Sequence, residues 1–219
     1  MLFRSVDPFL VGNKRKFPTS EISGRAVVFA RIRQILPELT IHSEKTQEIL
    51  DEIKRLEMTG YQFEGADASF ELLVRRQMGL YKPYFELKYY KILSGAGERE
   101  DAGASAIVKV GVGDALQLMA AEGNGPVHAL DMALRKALEV FYPVLNRMKL
   151  TDYKVRVLDG GSATASRVRV LITSTDGESR FTTVGVSDDV VEASFQALQD
   201  SIEYLLLKTG APHRTPAVK

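Results

Sequence analysis

The 219-residue chain has no cysteine and no tryptophan, and it has only three histidines. Without cysteine, disulfide bonds, thiolate nucleophiles and cysteine metal ligands are all excluded. The histidines His42, His128 and His213 are far apart, and no H-x-H or H-E-x-x-H motif places two of them at metal-ligand spacing. We therefore predict no metal site in this chain.

The chain also lacks an excess of charge of either sign and has no long apolar run. Lys and Arg number 29 against 28 Asp and Glu, which leaves no basic field for nucleic acid. No run of about 18 apolar residues could span a membrane, and the N-terminus lacks the apolar core of a signal peptide. These absences, with the lack of cysteine, predict a cytoplasmic protein that binds neither nucleic acid nor membranes.

No catalytic motif stands out. A G-x-S-x-G motif is absent, and no arrangement of serine, histidine and aspartate indicates a hydrolase. The segment from Gly111 to Gly113 follows a predicted strand, but a second strand follows it where a nucleotide-binding fingerprint requires a helix. We therefore assign no catalytic residue to this chain.

The most informative stretch is a glycine-rich turn that opens into a helix. Gly123 and Gly125 can adopt backbone angles that other residues avoid, and Pro126 suits the first position of a helix. Free backbone N–H groups and the positive end of the helix dipole converge there, which favours a carboxylate ligand; a tight turn without a ligand is the alternative. Apolar residues then recur at spacings of three and four, namely Val127, Leu130, Leu134, Ala137, Leu138 and Phe141.

The same arrangement occurs twice along the chain. Strands are predicted near residues 84–91, 107–112 and 116–121 before the first helix, and near 152–158, 168–172 and 181–186 before a second. The second turn, at residues 185 to 189, offers the same geometry as the first. A repeat at a spacing of about 65 to 70 residues predicts an α+β fold of two βββα units that share a core.

The apolar spacing and the cap residues between positions 25 and 79 predict a small helical unit. Three helices are expected, at about 25–36, 44–58 and 66–78, with Ser43 and Asp67 as N-caps and Gly60 as a C-terminal glycine. Such a unit is too small to bury a core of its own. We therefore divide the chain into an arm and helical linker (1–80), a duplicated domain (81–210) and a frayed tail (211–219).

Five blocks of residues occur in a specific order. They are Ser-Glu-Ile-Ser-Gly-Arg (20 to 25), Gly-Tyr-Gln-Phe-Glu-Gly-Ala-Asp-Ala-Ser-Phe-Glu-Leu-Leu (60 to 73), Ala-Glu-Gly-Asn-Gly-Pro-Val (121 to 127), Leu-Thr-Asp-Tyr-Lys-Val-Arg-Val (150 to 157) and Thr-Val-Gly-Val-Ser (183 to 187). Together they resemble the C-terminal linker and regulatory region of citramalate synthases, in the α-isopropylmalate/homocitrate synthase family. The resemblance extends from about residue 7 to residue 207.

Members of that family join acetyl-CoA to a 2-oxo acid in an N-terminal TIM barrel that holds a divalent metal. The resemblance implies that the metal and acetyl-CoA belong to a barrel absent from this chain, which has no room for its roughly 250 residues. Relatives often carry a histidine in the linker at the position of Ile22. We therefore expect this chain alone to be inactive, and we assign it no cofactor.

The resemblance also implies a symmetric homodimer that binds an amino-acid effector, isoleucine or leucine. The effector-binding residues that it implies are Gly125, Val127, His128, Leu150, Tyr153, Val157, Thr164, Val186 and Ser187. His128 has two interpretations, as a wall of this pocket or as a residue of the helix surface. Three alternatives stay open: a transferase subunit whose barrel lies on another chain or was removed, a stand-alone amino-acid-binding module, and a structural dimerisation domain.

Overall fold

The computed structural model describes residues 25–95, 103–158 and 166–213, and it confirms the α+β fold. Three helices come first, followed by two units of three strands and a helix. Their bounds are α1 Arg25–Ile35, α2 Glu44–Met58, α3 Asp67–Gln77, β1 Glu86–Ser94, β2 Ala104–Val112, β3 Ala115–Gly123, α4 Pro126–Glu139, β4 Lys149–Val157, β5 Val168–Thr175, β6 Arg180–Ser187 and α5 Val190–Lys208. A 3-10 helix, Pro143–Arg147, joins the two units. Predictions for Ile22, for Thr164 and for the last six residues lie outside the described ranges.

In the helical unit, α1 to α3, one of the two predicted N-caps is confirmed and the other is wrong. Ser43 caps α2, because its Oγ accepts from the Thr46 N–H at 3.2 Å, and Gly60 follows the helix with φ of 105°. The prediction that Asp67 caps α3 is wrong, since the N-cap is Ala66, which makes no side-chain bond. The Asp67 carboxylate instead accepts from the Arg31 guanidinium at 2.9 Å and so ties α3 to α1.

The first sheet has the antiparallel order β1-β2-β3, and one of its faces packs on α4. Val108 and Val110 of β2 are fully buried on that inner face. Strict alternation along β1 would place Leu87 and Tyr89 on one side of the sheet. A β-bulge between these two residues shifts the register, so Leu87 pairs with Val110 while Tyr90 pairs with Val108. Leu87 and Tyr90 therefore share the inner face, and Tyr89 lies on the outer one.

The second sheet repeats this design with the order β4-β5-β6. Val170 and Ile172 of β5 are fully buried on its inner face, which packs on α5. Helix α4 begins at Pro126 and α5 at Val190, 64 residues later. One hydrophobic core contains inner-face residues of both sheets together with α4 and α5. The predicted duplication around a shared core is thus confirmed.

The two sheets differ in what covers them. Phe195 of α5 reaches across to the first sheet, where its ring lies 5.4 Å from that of Tyr90 on β1. The strand equivalent to β1 in the second unit is β4, and eight of its nine residues are exposed. The side of the first sheet that faces away from α4 is only partly polar. This outer face exposes apolar side chains, namely Tyr89, Leu93, Leu116 and Leu118.

The helical unit packs on the outer face of the second sheet and on its β6 edge. Phe70 and Val74 of α3 form a core cluster with Val184 and Val186 of β6. The backbone N–H of Val184 donates to Ser69 Oγ at 3.0 Å, so a side chain of α3 satisfies a group on the edge of β6. The helical unit thus shares its core with the duplicated domain, as its small size requires.

The junction between α3 and β1 is fixed by α5 and its neighbours. Tyr84 donates its N–H to the Glu203 carboxylate at 3.1 Å, and its carbonyl accepts from the Tyr142 hydroxyl at 2.8 Å. Its ring stacks on that of His213 at 4.0 Å. The tail was expected to fray from residue 211 onward, but this aromatic contact docks its first residues against the junction.

Candidate functional site

The start of α4 is open to an anion. Its N-cap, Gly125, makes no side-chain hydrogen bond, so the first-turn N–H groups are left without a side-chain acceptor. Gly125 has φ of −174°, an extended conformation that any residue adopts. The position that requires glycine is Gly123, where a Cβ would lie 2.5 Å from the Ala129 nitrogen. Close approach of β3 to the helix, and not an unusual backbone angle, therefore explains this glycine.

His128 lies exposed in the first turn of α4. Its Nδ1 accepts from the backbone N–H of Asn124 at 3.2 Å, which holds the ring against the preceding turn. Of its two interpretations, the described geometry of one chain favours the helix surface. Val127, on the same turn, is partly buried against the shared core.

The start of α5 is closed by the chain's own carboxylates. Asp189 is the N-cap, and its Oδ1 accepts from the Val191 N–H at 2.7 Å. Asp188 lies beside it and forms an ion pair with Arg167 at 3.5 Å. These two carboxylates already lie at the positive end of the helix dipole, so they would repel the carboxylate of a ligand. The two halves of the duplication thus differ. The start of α4 has no carboxylate of its own, whereas the start of α5 is occupied by the chain's own carboxylates.

A second group of predicted site residues lies on β4. Tyr153 and Val157 point to the inner side of the sheet and are 40% and 59% exposed. The Tyr153 hydroxyl hydrogen-bonds to Ser194 Oγ of α5 at 2.8 Å. Val157 pairs with Val168, which pairs with Ser187. Val157 and Ser187 therefore share one row of the sheet, about 10 Å apart across two strand spacings.

Two predicted residues do not join this group within one chain. Leu150 lies near the start of the same strand, seven residues before Val157, a separation of about 20 Å along a strand. The Val186 side chain points to the opposite face of the sheet, where it is buried against the helical unit. One chain therefore brings Val157 and Ser187 into one region and leaves Leu150 and Val186 elsewhere.

The sequence reasoning missed two carboxylates of α5, of which Asp200 is half-buried and Glu203 is buried. Asp200 accepts from Arg76 Nη2 and from Ser69 Oγ, both at 2.7 Å, and so binds α3 at two points. Glu203 is fully buried, and burial raises its pKa to about 7 although Tyr81 and the Tyr84 N–H donate to it. Acidic residues three apart on a helix are usually solvent-exposed, so nothing in the sequence pattern singled them out.

A cleft of about 490 Å³ lies between the loop after α2 and the outer face of the second sheet. Arg167 and Arg169 line it and donate to the carbonyls of Thr59 and Gly60 at 2.8 and 2.6 Å. These arginines therefore fix the helical unit to β5.

Within residues 25–95, 103–158 and 166–213, no cluster of His, Asp and Glu side chains could hold a metal ion. In the same ranges no helix has the length and apolarity needed to cross a membrane.

Gly185 tests the close packing of the second helix against its strand. A Cβ at Gly185 would clash with the Ala193 carbonyl oxygen and lie 2.9 Å from Gln196 Cβ. We expect Gly185→Ala to lower the free energy of unfolding by about 2 kcal/mol through overpacking. Gly95→Ala is the matched control, because a Cβ there meets nothing within 4 Å. Urea unfolding of both variants checks the prediction, and equal losses would contradict it.

A scan against family models places residues 64–206 in the LeuA allosteric (dimerisation) domain. The chain belongs to this family. The match begins in the helical unit and runs through both βββα units to the end of α5. Regulation and dimerisation are thus the functions of the family to which these units belong.

Among curated proteins, the chain is 48% identical over 208 residues to the (R)-citramalate synthase of Geobacter sulfurreducens and 45% identical to that of Aquifex aeolicus. Each match covers 94% of this chain and 39% of the relative. The 2-isopropylmalate synthase of Methanocaldococcus jannaschii is 28% identical over 211 residues. The chain thus spans about two fifths of the length of these relatives, and its resemblance to the C-terminal region of citramalate synthases is confirmed.

Proposed function

We propose that this chain is the regulatory and dimerisation portion of a cytoplasmic (R)-citramalate synthase of isoleucine biosynthesis, forms a homodimer and binds isoleucine as a feedback inhibitor. Identities of 48% and 45% to two synthases of that name support this assignment over the 28% to a 2-isopropylmalate synthase. The divalent metal and acetyl-CoA would then act in a catalytic barrel outside this chain, joined to it in cis or in trans. A regulatory domain that senses leucine is the second candidate.

The observation that carries the effector proposal is the open N-terminus of α4. A bound amino acid has a carboxylate, and α4 offers unpaired first-turn N–H groups without a side-chain cap. The equivalent end of α5 is already occupied by Asp189. We therefore place the effector carboxylate at Gly125 to Val127 and not at Ser187 to Asp189. The family resemblance implies that its side chain contacts Tyr153 and Val157, which lie on the exposed inner face of β4.

Transferring the cap of one helix to the other tests this placement. The extended conformation of Gly125 accepts an aspartate, which is a better N-cap than glycine. Gly125→Asp should therefore keep or raise the free energy of unfolding while the new carboxylate competes with the ligand. We expect isoleucine to bind about 2- to 30-fold more weakly, the range that an anion at a helix start contributes. Isothermal titration with isoleucine, leucine and valine measures this.

The control for this experiment is Asp189→Gly, the reverse exchange on α5. It should lower the free energy of unfolding by only a few tenths of a kcal/mol through the lost cap and leave isoleucine affinity unchanged. If Asp189→Gly weakened binding and Gly125→Asp did not, the carboxylate would sit at the wrong helix in our proposal. A parent chain that binds none of the three amino acids would refute the effector proposal itself.

We also expect the chain alone to have no synthase activity. Mixing it with acetyl-CoA, pyruvate and a divalent metal should release no thiol above the uncatalysed background. Turnover of about one per second or more, an ordinary enzyme rate, would show that a catalytic site was overlooked.

A further inference from the structure

Strand β4 has a free edge. Among the described strands it pairs on one side only, with β5. The edge strand at the other side of the same sheet, β6, is protected, because its Val184 and Val186 N–H groups donate to Ser69 and Gln196 side chains. Unprotected strand edges present rows of backbone donors and acceptors that pair readily with another chain.

The inner face of this edge strand lacks the cover that its counterpart has. Tyr90 of β1 stacks on Phe195 and donates its hydroxyl to Glu192 at 2.8 Å, so α5 covers the inner side of β1. On β4 the corresponding face exposes Tyr153, Val155 and Val157 at 40%, 44% and 59%. Three neighbouring apolar side chains on an unpaired edge indicate a surface that a partner buries.

The other face of β4 has a charge pattern that is complementary to itself. Asp152 and Lys154 lie two residues apart on the outer face, on either side of Tyr153, and form an ion pair with each other in the single chain. In an antiparallel pair of two β4 strands with the two-fold axis at Tyr153, Asp152 of each copy would oppose Lys154 of the other. An axis at Asp152 or at Lys154 would instead set two like charges opposite each other, which is destabilising.

We propose that a second copy of this chain pairs with β4 edge to edge about a two-fold axis at Tyr153, and that the two second sheets join into one six-stranded sheet. This inference rests on the homodimer of the proposed function and names the surface that forms it. The same symmetry would bring Leu150 of one copy towards Val157 of the other. Two predicted site residues that one chain holds at opposite ends of β4 would thereby become neighbours.

A disulfide trap tests the axis directly, because the chain has no cysteine of its own. Residues opposite each other in antiparallel strands have Cα atoms about 4.5 to 5.5 Å apart, within the range that a disulfide bridges. Oxidised Tyr153→Cys should therefore run as a covalent dimer on a non-reducing gel. Tyr89→Cys is the matched control, since this tyrosine of edge strand β1 is 41% exposed against 40% for Tyr153. It should stay uncrosslinked.

Charge reversal provides a second, independent measurement. Asp152→Lys or Lys154→Asp alone would replace two opposite-charge pairs by two like-charge pairs and should weaken the dimer about 10- to 100-fold. The double exchange should restore it. The exposed pair of Glu86 and Lys88 on β1 has the same spacing, so Glu86→Lys is the control and should leave the dimer unchanged.

The outcomes separate this inference from the homodimer itself. Light scattering that finds the unmodified chain monomeric would refute the homodimer and the β4 pairing together. A dimeric chain in which Tyr153→Cys does not crosslink and the reversals have no effect would keep the homodimer and overturn the β4 axis. Crosslinking through Tyr89→Cys instead would move the interface to the first sheet.

Discussion

Replacing Arg76 with methionine is expected to lower the free energy of unfolding by about 3 kcal/mol. Arg76 donates to Asp200 at 2.7 Å, and the Asp200 side chain is 14% exposed. Burial raises the pKa of Asp200 while Arg76 opposes that rise. Without Arg76 the carboxylate would keep only the hydroxyl of Ser69 as a hydrogen-bond partner, in a place that water reaches poorly. Urea unfolding followed by circular dichroism measures the loss.

The control is Arg55→Met, which breaks another arginine–carboxylate pair of the same length. Arg55 contacts Glu52 at 2.7 Å on the surface of α2, and its side chain is 59% exposed. Exposed pairs of this kind contribute little, so this change should stay within about 0.5 kcal/mol of the parent. Equal losses for the two variants would show that burial at Asp200 does not matter.

The same contact connects the helical unit to the duplicated domain. Asp200 holds both ends of α3, through Ser69 and Arg76, and Glu203 one turn later holds Tyr84 at the start of the first sheet. A change in the position of α5 would therefore be transmitted to the helical unit through charged, buried contacts. In a synthase the barrel would precede that unit, so α5 is the element through which we expect effector binding to act.

The sequence predicted well those elements whose signals are local. Helix α2 has the predicted bounds because Ser43 caps it and Gly60 ends it. Helix α4 begins at Pro126, as the preceding glycines and the apolar spacing indicated. The duplication was recognised because two turns with similar residues each precede an apolar helix. Each of these signals involves residues that are only a few positions apart in the sequence.

Features that depend on distant contacts were missed. The bulge that follows Leu87 has no clear sequence signal, and it moved Tyr89 to the outer face of its sheet. Asp67 was read as a cap because it precedes a helix, whereas its partner Arg31 is 36 residues away. The candidate site was predicted as one pocket, but register places Leu150 and Val157 at opposite ends of one strand.

Glu203→Gln is expected to remove a dependence of stability on pH. The pKa of Glu203 is raised from its ordinary 4.5 to about 7, chiefly by burial and also by the neighbouring Asp200, while Tyr81, Tyr84 and Arg76 oppose the rise. Between these two pH values the folded chain keeps a proton that the unfolded chain has lost. The stability contributed by this proton is complete below pH 4.5 and is lost as pH rises through 7.

The loss amounts to about 3 kcal/mol between pH 4.5 and pH 8. Glutamine has the shape of protonated glutamate, and its oxygen can still accept from the Tyr84 N–H. The variant should therefore match the parent at pH 4.5 and exceed it in stability by about 3 kcal/mol at pH 8. Chemical unfolding at a series of pH values gives this difference directly.

Asp176→Asn should change the pH dependence of stability in the opposite direction. The Lys208 ammonium, which hydrogen-bonds to Asp176, and the Ser179 N–H hold the pKa of that carboxylate well below its ordinary value of 3.8. Its stabilisation is therefore present at neutral pH and lost as pH falls through the acidic range. Asp176→Asn should destabilise the chain at pH 7 and less so at pH 3.

If Glu203→Gln instead showed the same stability difference at pH 5 and pH 8, Glu203 would be charged at both pH values while it accepts from Tyr84. The contact between α5 and the junction would then not respond to pH.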